Sequence, residues 1–225
     1  MLSIIVPVYN EENTIKAVLE TLLNLGVDKE IIVINDGSTD NTRKNIESIK
    51  KNVREMKCIN LKKNIGKGNA VQEGIKAAQG NIIAIQDADL EYTPQELVVL
   101  AGILEKTDAD VVYGVRFNSN FKTPLWHRLG NKFLSFFTSI LYLKWISDME
   151  TCYKVMYKKN WRSLNLKSIG FEVEAEITAK VLRNKFHIIQ YPISYVFRHF
   201  REGKKISYKD GIRAFITLFK YRFLY

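Results

Sequence analysis

The sequence has little cysteine and little histidine. Cys58 and Cys152 are the two cysteines in 225 residues. They have no metal-ligand spacing and offer no disulfide framework, so a reducing compartment is expected. His127, His187 and His199 lie far apart. A histidine metal centre, a Ser-His-Asp triad and a Cys-His pair therefore have no support. No apolar run reaches the roughly 20 residues that span a bilayer. The most apolar later stretch, FLSFFTSILYLKWI at 133–146, is shorter and is broken by Lys144. The opening MLSIIVPVYN lacks a basic leader and reads as a strand, not a signal peptide. There is no internal repeat, no low-complexity tract and no Pro/Gly-rich linker, so one domain is expected over 1–225.

Charge of one sign is in excess. Lysine and arginine number 34 against 24 acidic residues, a formal net charge of +10. An anionic partner follows: nucleic acid, acidic lipid headgroups or a phosphorylated small molecule.

The first half alternates strand and helix. LSIIVPVY reads as a strand, and Asn13 or Thr14 can cap a helix running to about Leu25. EIIVIN, MKCINL, NIIAIQ and DVVYG read as further strands, with helices near 42–54, 67–79 and 94–105 between them. Pro94 suits the first turn of the last of these. This order predicts an α/β fold, a mostly parallel sheet with helices on both faces. Ligands of such sheets bind beyond the carboxyl ends of the strands. VYNEE, NDGSTD, KNIGKG and QDADLE should therefore converge on one crevice. After Gly114 the alternation weakens. A helix over 172–183, short strands near 187–191 and 193–197, and a last helix capped by Ser207 and Asp210 are expected.

QDADLEY places Asp87 and Asp89 two apart at the end of a buried strand. On extended backbone both side chains point the same way, so both can face one hard divalent cation such as Mg²⁺. A helix cap or solvated turn is the plainer reading. Asp36 in NDGSTD is either a turn residue or an acceptor for base and ribose donors. GKGNA lacks the full phosphate-loop pattern, and Val71 replaces the third glycine of G-x-G-x-x-G. That argues against a P-loop NTPase and a Rossmann dehydrogenase, although Lys67 at a helix start can still attract an anion. In SDMETCYK, Asp148 and Glu150 precede a strand and are read as surface charge or as site residues. In SYVFRHFREGKKI, Arg198, Arg201, Lys204 and Lys205 form either a solvated basic loop or a pyrophosphate clamp. The last helix carries Ile212, Phe215, Ile216, Phe219 and Phe223 on one stripe edged by Lys209, Arg213 and Lys220. That stripe either faces the core or lies on an anionic membrane surface.

IVPVYNEE, VINDGSTD, IGKGNA and DADLEYTP, in this order and spacing, resemble a family 2 glycosyltransferase of the GT-A fold. VVYGVRF, WHRLGNKFLS, SDMETCYKVM, GFEVEAEITAKV, PISYVFR and EGKKISYKDGIRA resemble its dolichol-phosphate mannose synthase-like branch. The resemblance covers nearly the whole chain. It implies a nucleotide-sugar-binding half, 1–115, and an acceptor and membrane-facing half, 116–225. It implies inverting transfer from GDP-mannose or a UDP-hexose to a polyprenyl phosphate, with Mg²⁺ or Mn²⁺, at the cytoplasmic face of a membrane. By resemblance, Pro7, Tyr9, Glu11, Ile34 and Asp36 hold base and ribose. Asp87, Ala88 and Asp89 meet the ribose and the metal-bound diphosphate. Arg116, Arg198 and Lys204 contact donor or acceptor phosphates. Glu91 departs from the glutamine that several relatives carry there. A phosphate acceptor, with a second pKa of about 6, arrives largely ionised; a sugar hydroxyl acceptor would need a base, for which Asp148 is the candidate. Transfer to a sugar hydroxyl and, more remotely, a non-catalytic nucleic-acid-binding protein are the competing readings.

Overall fold

Parallel strands covered by helices on both faces must be apolar on both faces, and the sequence supplies such runs. In a computed structural model describing residues 1–51, 53–119, 125–197 and 208–224, with side chains throughout except at 117–119, 125–127 and 208, every residue of β1 (Leu2–Val8) is buried. So is every residue of β4 (Ile82–Ile85). β2 (Lys29–Asn35) and β3 (Met56–Asn60) complete the first half of the sheet. Helices α1 (Ile15–Leu23), α2 (Thr42–Lys50) and α3 (Lys67–Ala77) make the connections. On α1, Ile15, Val18, Leu19 and Leu22 face the core at the expected helical spacing; each such side chain contributes about 1.5–3 kcal/mol.

The remaining elements are α4 (Gln95–Lys106), β5 (Val111–Ser119), α5 (Leu125–Tyr142), β6 (Lys154–Tyr157), α6 (Lys158–Ser163), α7 (Val173–Arg183), β7 (Ile188–Tyr195) and α8 (Tyr208–Phe223). The sheet runs β3-β2-β1-β4-β6-β5-β7. β1 pairs in parallel with both β2 and β4. The chain therefore moves outward from β1 to β3 and then returns to the other side of β1, which makes a switch point between β1 and β4.

Several expectations are refined. β6 inserts between β4 and β5 and is antiparallel to both. The two strands expected after residue 187 are one, because β7 passes through Pro192 at the sheet edge. An edge strand tolerates proline's missing donor. The aromatic stretch after residue 121 contains the 18-residue helix α5. Thr14 stands at the N-cap of α1 but makes no side-chain capping bond. Ser207 lies outside the described residues.

One apolar cluster runs from Leu2 to Phe197. A second joins Leu134, Ile146, Met149, Ala175, Ala179, Leu182, Ala214, Leu218 and Tyr221 beneath α5 and α8. Among the described residues no helix is long and apolar enough to cross a membrane.

Candidate functional site

The strand-end loops are joined to one another by hydrogen bonds. Asn10, at φ +47, receives the Thr39 N–H on Oδ1 at 2.8 Å and donates its own N–H to Ser38. Glu12 accepts from the N–H and the side chain of Asn41. The first and second loops are thereby joined. Asp36 accepts the N–H groups of Ile65 and Gly66 at 3.0 and 2.7 Å, which joins the second loop to the third. Gly66 has φ +131, and a Cβ there would lie 2.3 Å from the Ile169 carbonyl oxygen. Only glycine fits that approach. The Lys67 ammonium meets Asp87 Oδ1 at 2.7 Å, joining the third loop to the fourth. The Thr14 hydroxyl, diverted from its cap, donates to the Ala88 carbonyl at 2.7 Å and closes the circuit.

QDADLEY is held at nearly every residue. Tyr153 Oη donates to Gln86. Asp89 Oδ1 accepts from the Glu91 N–H at 3.3 Å. Glu91 Oε2 accepts from Tyr195 Oη at 2.7 Å. Tyr92 Oη accepts the Cys152 N–H at 3.2 Å. Leu90 is the exposed exception.

Burial, reinforced by Asp87 and Glu91, pushes the Asp89 carboxyl up to about 8. Burial opposes the charge on Lys67, but Asp87 and Glu174 outweigh it and hold its pKa well above the usual lysine value. Lys67 also sits 3.2 Å from Glu174 Oε1, and Glu174 Oε2 takes the fully buried Lys154 at 2.5 Å.

Arg116 and Asp148 form a two-pronged pair. Nε reaches Oδ2 at 2.6 Å and Nη2 reaches Oδ1 at 2.7 Å. Burial would raise the Asp148 carboxyl, but Arg116 holds it below its ordinary value. Both oxygens are occupied and the proton affinity is lowered, which disfavours Asp148 as the base that a sugar hydroxyl acceptor would need. The surface-charge reading of SDMETCYK also fails: Asp148 is buried. Glu150 Oε1 is buried and has no hydrogen-bond partner among the described residues. Burial, then Glu174, raises its carboxyl to about 7.

Pro7 and Ile34 are register partners on β1 and β2 and stand side by side. Tyr9 and Glu11 follow β1, and the Glu11 N–H donates to Thr42. Arg198 and Lys204 lie outside the described residues. Nothing local in the sequence signalled the ties of Thr14, Glu174 and Tyr195, since their partners Ala88, Lys67 and Glu91 lie far away along the chain.

Among the described residues no cluster of three or more His, Cys, Asp or Glu could hold a metal by itself. Asp87 and Asp89 offer the hard oxygens that Mg²⁺ or Mn²⁺ takes when substrate phosphates supply further ligands. The half-buried, charge-crowded Asp89 is suited to a cation.

Helices α5 and α8 pack on each other through Phe137 and Phe215, stacked at 4.3 Å, and through Tyr142 Oη on the Leu218 carbonyl. Their outer faces expose Leu129, Phe133, Phe136 and Ile140, and Ile212, Ile216, Phe219 and Phe223. The stripe on α8 therefore does not face the core; Ala214, Leu218 and Tyr221 do.

Comparison with known proteins agrees with the fold and gives the family. The UDP-N-acetylglucosamine–dolichyl-phosphate N-acetylglucosaminyltransferase of Methanococcus voltae is 27% identical over 97% of this chain and 94% of its own. The low-salt glycan biosynthesis hexosyltransferase Agl6 of Haloferax volcanii is 28% identical over 94% of this chain, which spans about half of that longer protein, 51%. Glucosyl-3-phosphoglycerate synthase from Mycobacterium tuberculosis, solved with Mn²⁺, UDP and glucosyl-3-phosphoglycerate, superposes with a TM-score of 0.75 at 18% identity, covering 98% of this chain and 79% of that one. Its likeness shows the GT-A fold. The family model for glycosyl transferase family 2 matches residues 3–163, and the chain belongs to the family 2 glycosyltransferases.

Proposed function

We propose that this glycosyltransferase moves a sugar, with inversion and with a divalent metal, from GDP-mannose or a UDP-hexose to a polyprenyl phosphate at a membrane surface. The observation that carries the reading is the closed circuit of four strand-end loops around Asp87 and Asp89, with the Arg116 fork at the same sheet edge. The full-length likeness to a dolichyl-phosphate transferase supports the acceptor class.

Pro7, Tyr9, Glu11, Ile34 and Asp36 line the place of base and ribose. Asp36 is already spent on the third loop, so it shapes that pocket through Ile65 and Gly66 as well as by contact. Asp89, with Asp87 beside it, would hold Mg²⁺ or Mn²⁺, which neutralises the charge that grows on a departing diphosphate. By resemblance, Arg198 and Lys204 would supply positive charge to the diphosphate, and Lys67, held between Asp87 and Glu174, would fix the acidic loop. Arg116 orients the acceptor phosphate. That group arrives largely ionised and attacks the anomeric carbon from the face opposite the leaving diphosphate. Asp148 keeps the guanidinium in plane. The exposed apolar faces of α5 and α8, edged by Lys209, Arg213, Lys220 and Arg222, rest on anionic lipid at the cytoplasmic face and bring the site to a membrane-held acceptor.

A sugar hydroxyl acceptor is the second reading. Glu150 favours it, since a buried carboxyl near 7 with an unpartnered oxygen is equipped to take a proton.

The deciding experiment incubates the protein and Mn²⁺ with membranes and a panel of labelled nucleotide sugars. Label is expected in the lipid fraction with one of them. Label that enters only water-soluble glycan would overturn the acceptor assignment.

A further inference from the structure

Tyr195 closes β7, which runs parallel to β5 and so ends on the same sheet edge as Arg116. Its hydroxyl donates to Glu91 Oε2 at 2.7 Å. Its ring lies under the Arg116 guanidinium, 5.1 Å from centroid to Cζ. The same ring meets Tyr92 edge-on at 5.3 Å. One residue later, the Val196 N–H donates to the Glu91 carbonyl at 2.9 Å. Glu91 is thus fastened to two consecutive residues, by side chain and by main chain. Glu91, Tyr195, Arg116 and Asp148 form one connected row.

A carboxylate two residues after Asp89 has an evident alternative use as a further oxygen ligand for the cation. The geometry points elsewhere. Glu91 is 8% exposed and Oε2 is turned to Tyr195. Arg116, for its part, carries five N–H donors in a rigid plane. Asp148 takes two of them and fixes one edge of that plane. The Tyr195 ring fixes its face, and the Glu91 bond keeps the ring from turning.

We propose that Glu91 and Tyr195 are a positioning pair, which sets the Arg116 guanidinium toward the acceptor phosphate, and that Glu91 is not a ligand of the divalent cation. The inference rests on the reading that Arg116 meets that phosphate. It also explains why the loop carrying Asp87 and Asp89 is tied to the end of β7: donor and acceptor groups are held in one frame.

The test measures two affinities in the full chain. One is for Mn²⁺ with UDP. The other is for farnesyl phosphate, a short soluble polyprenyl phosphate. Four variants are compared: Glu91→Ala, Glu91→Gln, Tyr195→Phe and the double Glu91→Ala/Tyr195→Phe. Tyr195→Phe and Glu91→Ala should each weaken farnesyl phosphate about fivefold, as loss of one hydrogen bond would. The double variant should be no weaker than the worse single one, because both remove the same bond. Glu91→Gln keeps an oxygen for the tyrosine hydroxyl and should remain near wild type. The Mn²⁺–UDP affinity should stay within about twofold throughout, since no metal ligand is lost and the Glu91 N–H that holds Asp89 belongs to the main chain.

A loss of about tenfold or more in Mn²⁺ affinity in Glu91→Gln would overturn the inference, because the carboxylate charge would then be acting on the cation. Unchanged farnesyl phosphate affinity in Tyr195→Phe, or multiplying effects in the double variant, would overturn it as well. If a variant containing Glu91→Ala fails to fold by circular dichroism, Glu91→Gln and Tyr195→Phe decide. Wild-type protein that binds Mn²⁺ and UDP but no farnesyl phosphate defeats the acceptor reading itself, and the variant pattern is not needed to see it.

Discussion

The ammonium of Lys67 lies 2.7 Å from Asp87 and 3.2 Å from Glu174, between the acidic loop after β4 and the first turn of α7. Lys154 follows on the far oxygen of Glu174. Charges alternate along this row, so each is compensated by its neighbour in a place that water reaches poorly. Removing one member leaves its partners buried and uncompensated, which costs more than the pair contributed. Lys67→Met should therefore destabilise the protein by roughly 3 kcal/mol, read from urea unfolding. A loss below about 1 kcal/mol, the worth of an exposed pair, would show that the row is solvated.

Glu150 gives a pH dependence. Its ordinary carboxyl value is 4.5, and burial with Glu174 beside it raises this to about 7, while Lys154 and Arg116 pull the other way. The folded protein therefore holds a proton that the unfolded chain has released. Its contribution to stability is full below about 4.5 and is lost as pH rises through about 7. Glu150→Gln should flatten the fall in melting temperature between pH 5 and 8 (roughly that window). An identical slope in wild type and variant, by differential scanning fluorimetry, would remove Glu150 from the account.

The Arg116–Asp148 fork predicts a division between binding and chemistry. Asp148→Asn keeps the shape and loses the charge that holds the guanidinium. Acceptor KM should rise about tenfold, the cost of losing a charge-assisted bond, while nucleotide affinity holds. Turnover with a polyprenyl phosphate should persist at saturating acceptor. Turnover abolished even there would restore Asp148 as an essential base.

Gly66 stands where the third loop crosses the segment before α7. A methyl group would meet the Ile169 carbonyl at 2.3 Å, on a backbone with φ +131. Gly66→Ala must displace the N–H groups that clasp Asp36. Melting temperature should fall by about 4 °C or more, and UDP affinity with it. Calorimetry that finds both unchanged would refute the clasp.

The outer faces of α5 and α8 predict lipid binding. Phe136→Glu with Phe219→Glu sets two charges on exposed positions of the apolar face, away from the core. Sedimentation with vesicles containing phosphatidylglycerol should fall about tenfold or more, while melting temperature and UDP affinity hold. Equal sedimentation of both proteins would reject this face as the docking surface.

The local sequence determined the strand–helix alternation, the parallel character of β1 to β4, and the meeting of four loops at one edge. The reason is that apolar runs such as IIVPV and NIIAI bury themselves through their own periodicity, and strand ends take their place from chain direction alone. The D-x-D pair, the glycine-rich third loop and the apolar stripe on α8 were legible for the same cause: each is a pattern over a few neighbouring residues. Tertiary structure alone decided the rest. It placed β6 antiparallel between β4 and β5, a matter of strand pairing that no local pattern encodes. It turned Thr14 from cap to loop tie, because the Ala88 carbonyl, 74 residues on, came within 2.7 Å. It gave Asp148 to Arg116, 32 residues away, and Glu91 to Tyr195, 104 residues away. A side chain's chemistry is written in the sequence, but its partner, and hence its proton affinity and its use, is chosen by the packing that brings distant segments within hydrogen-bond reach.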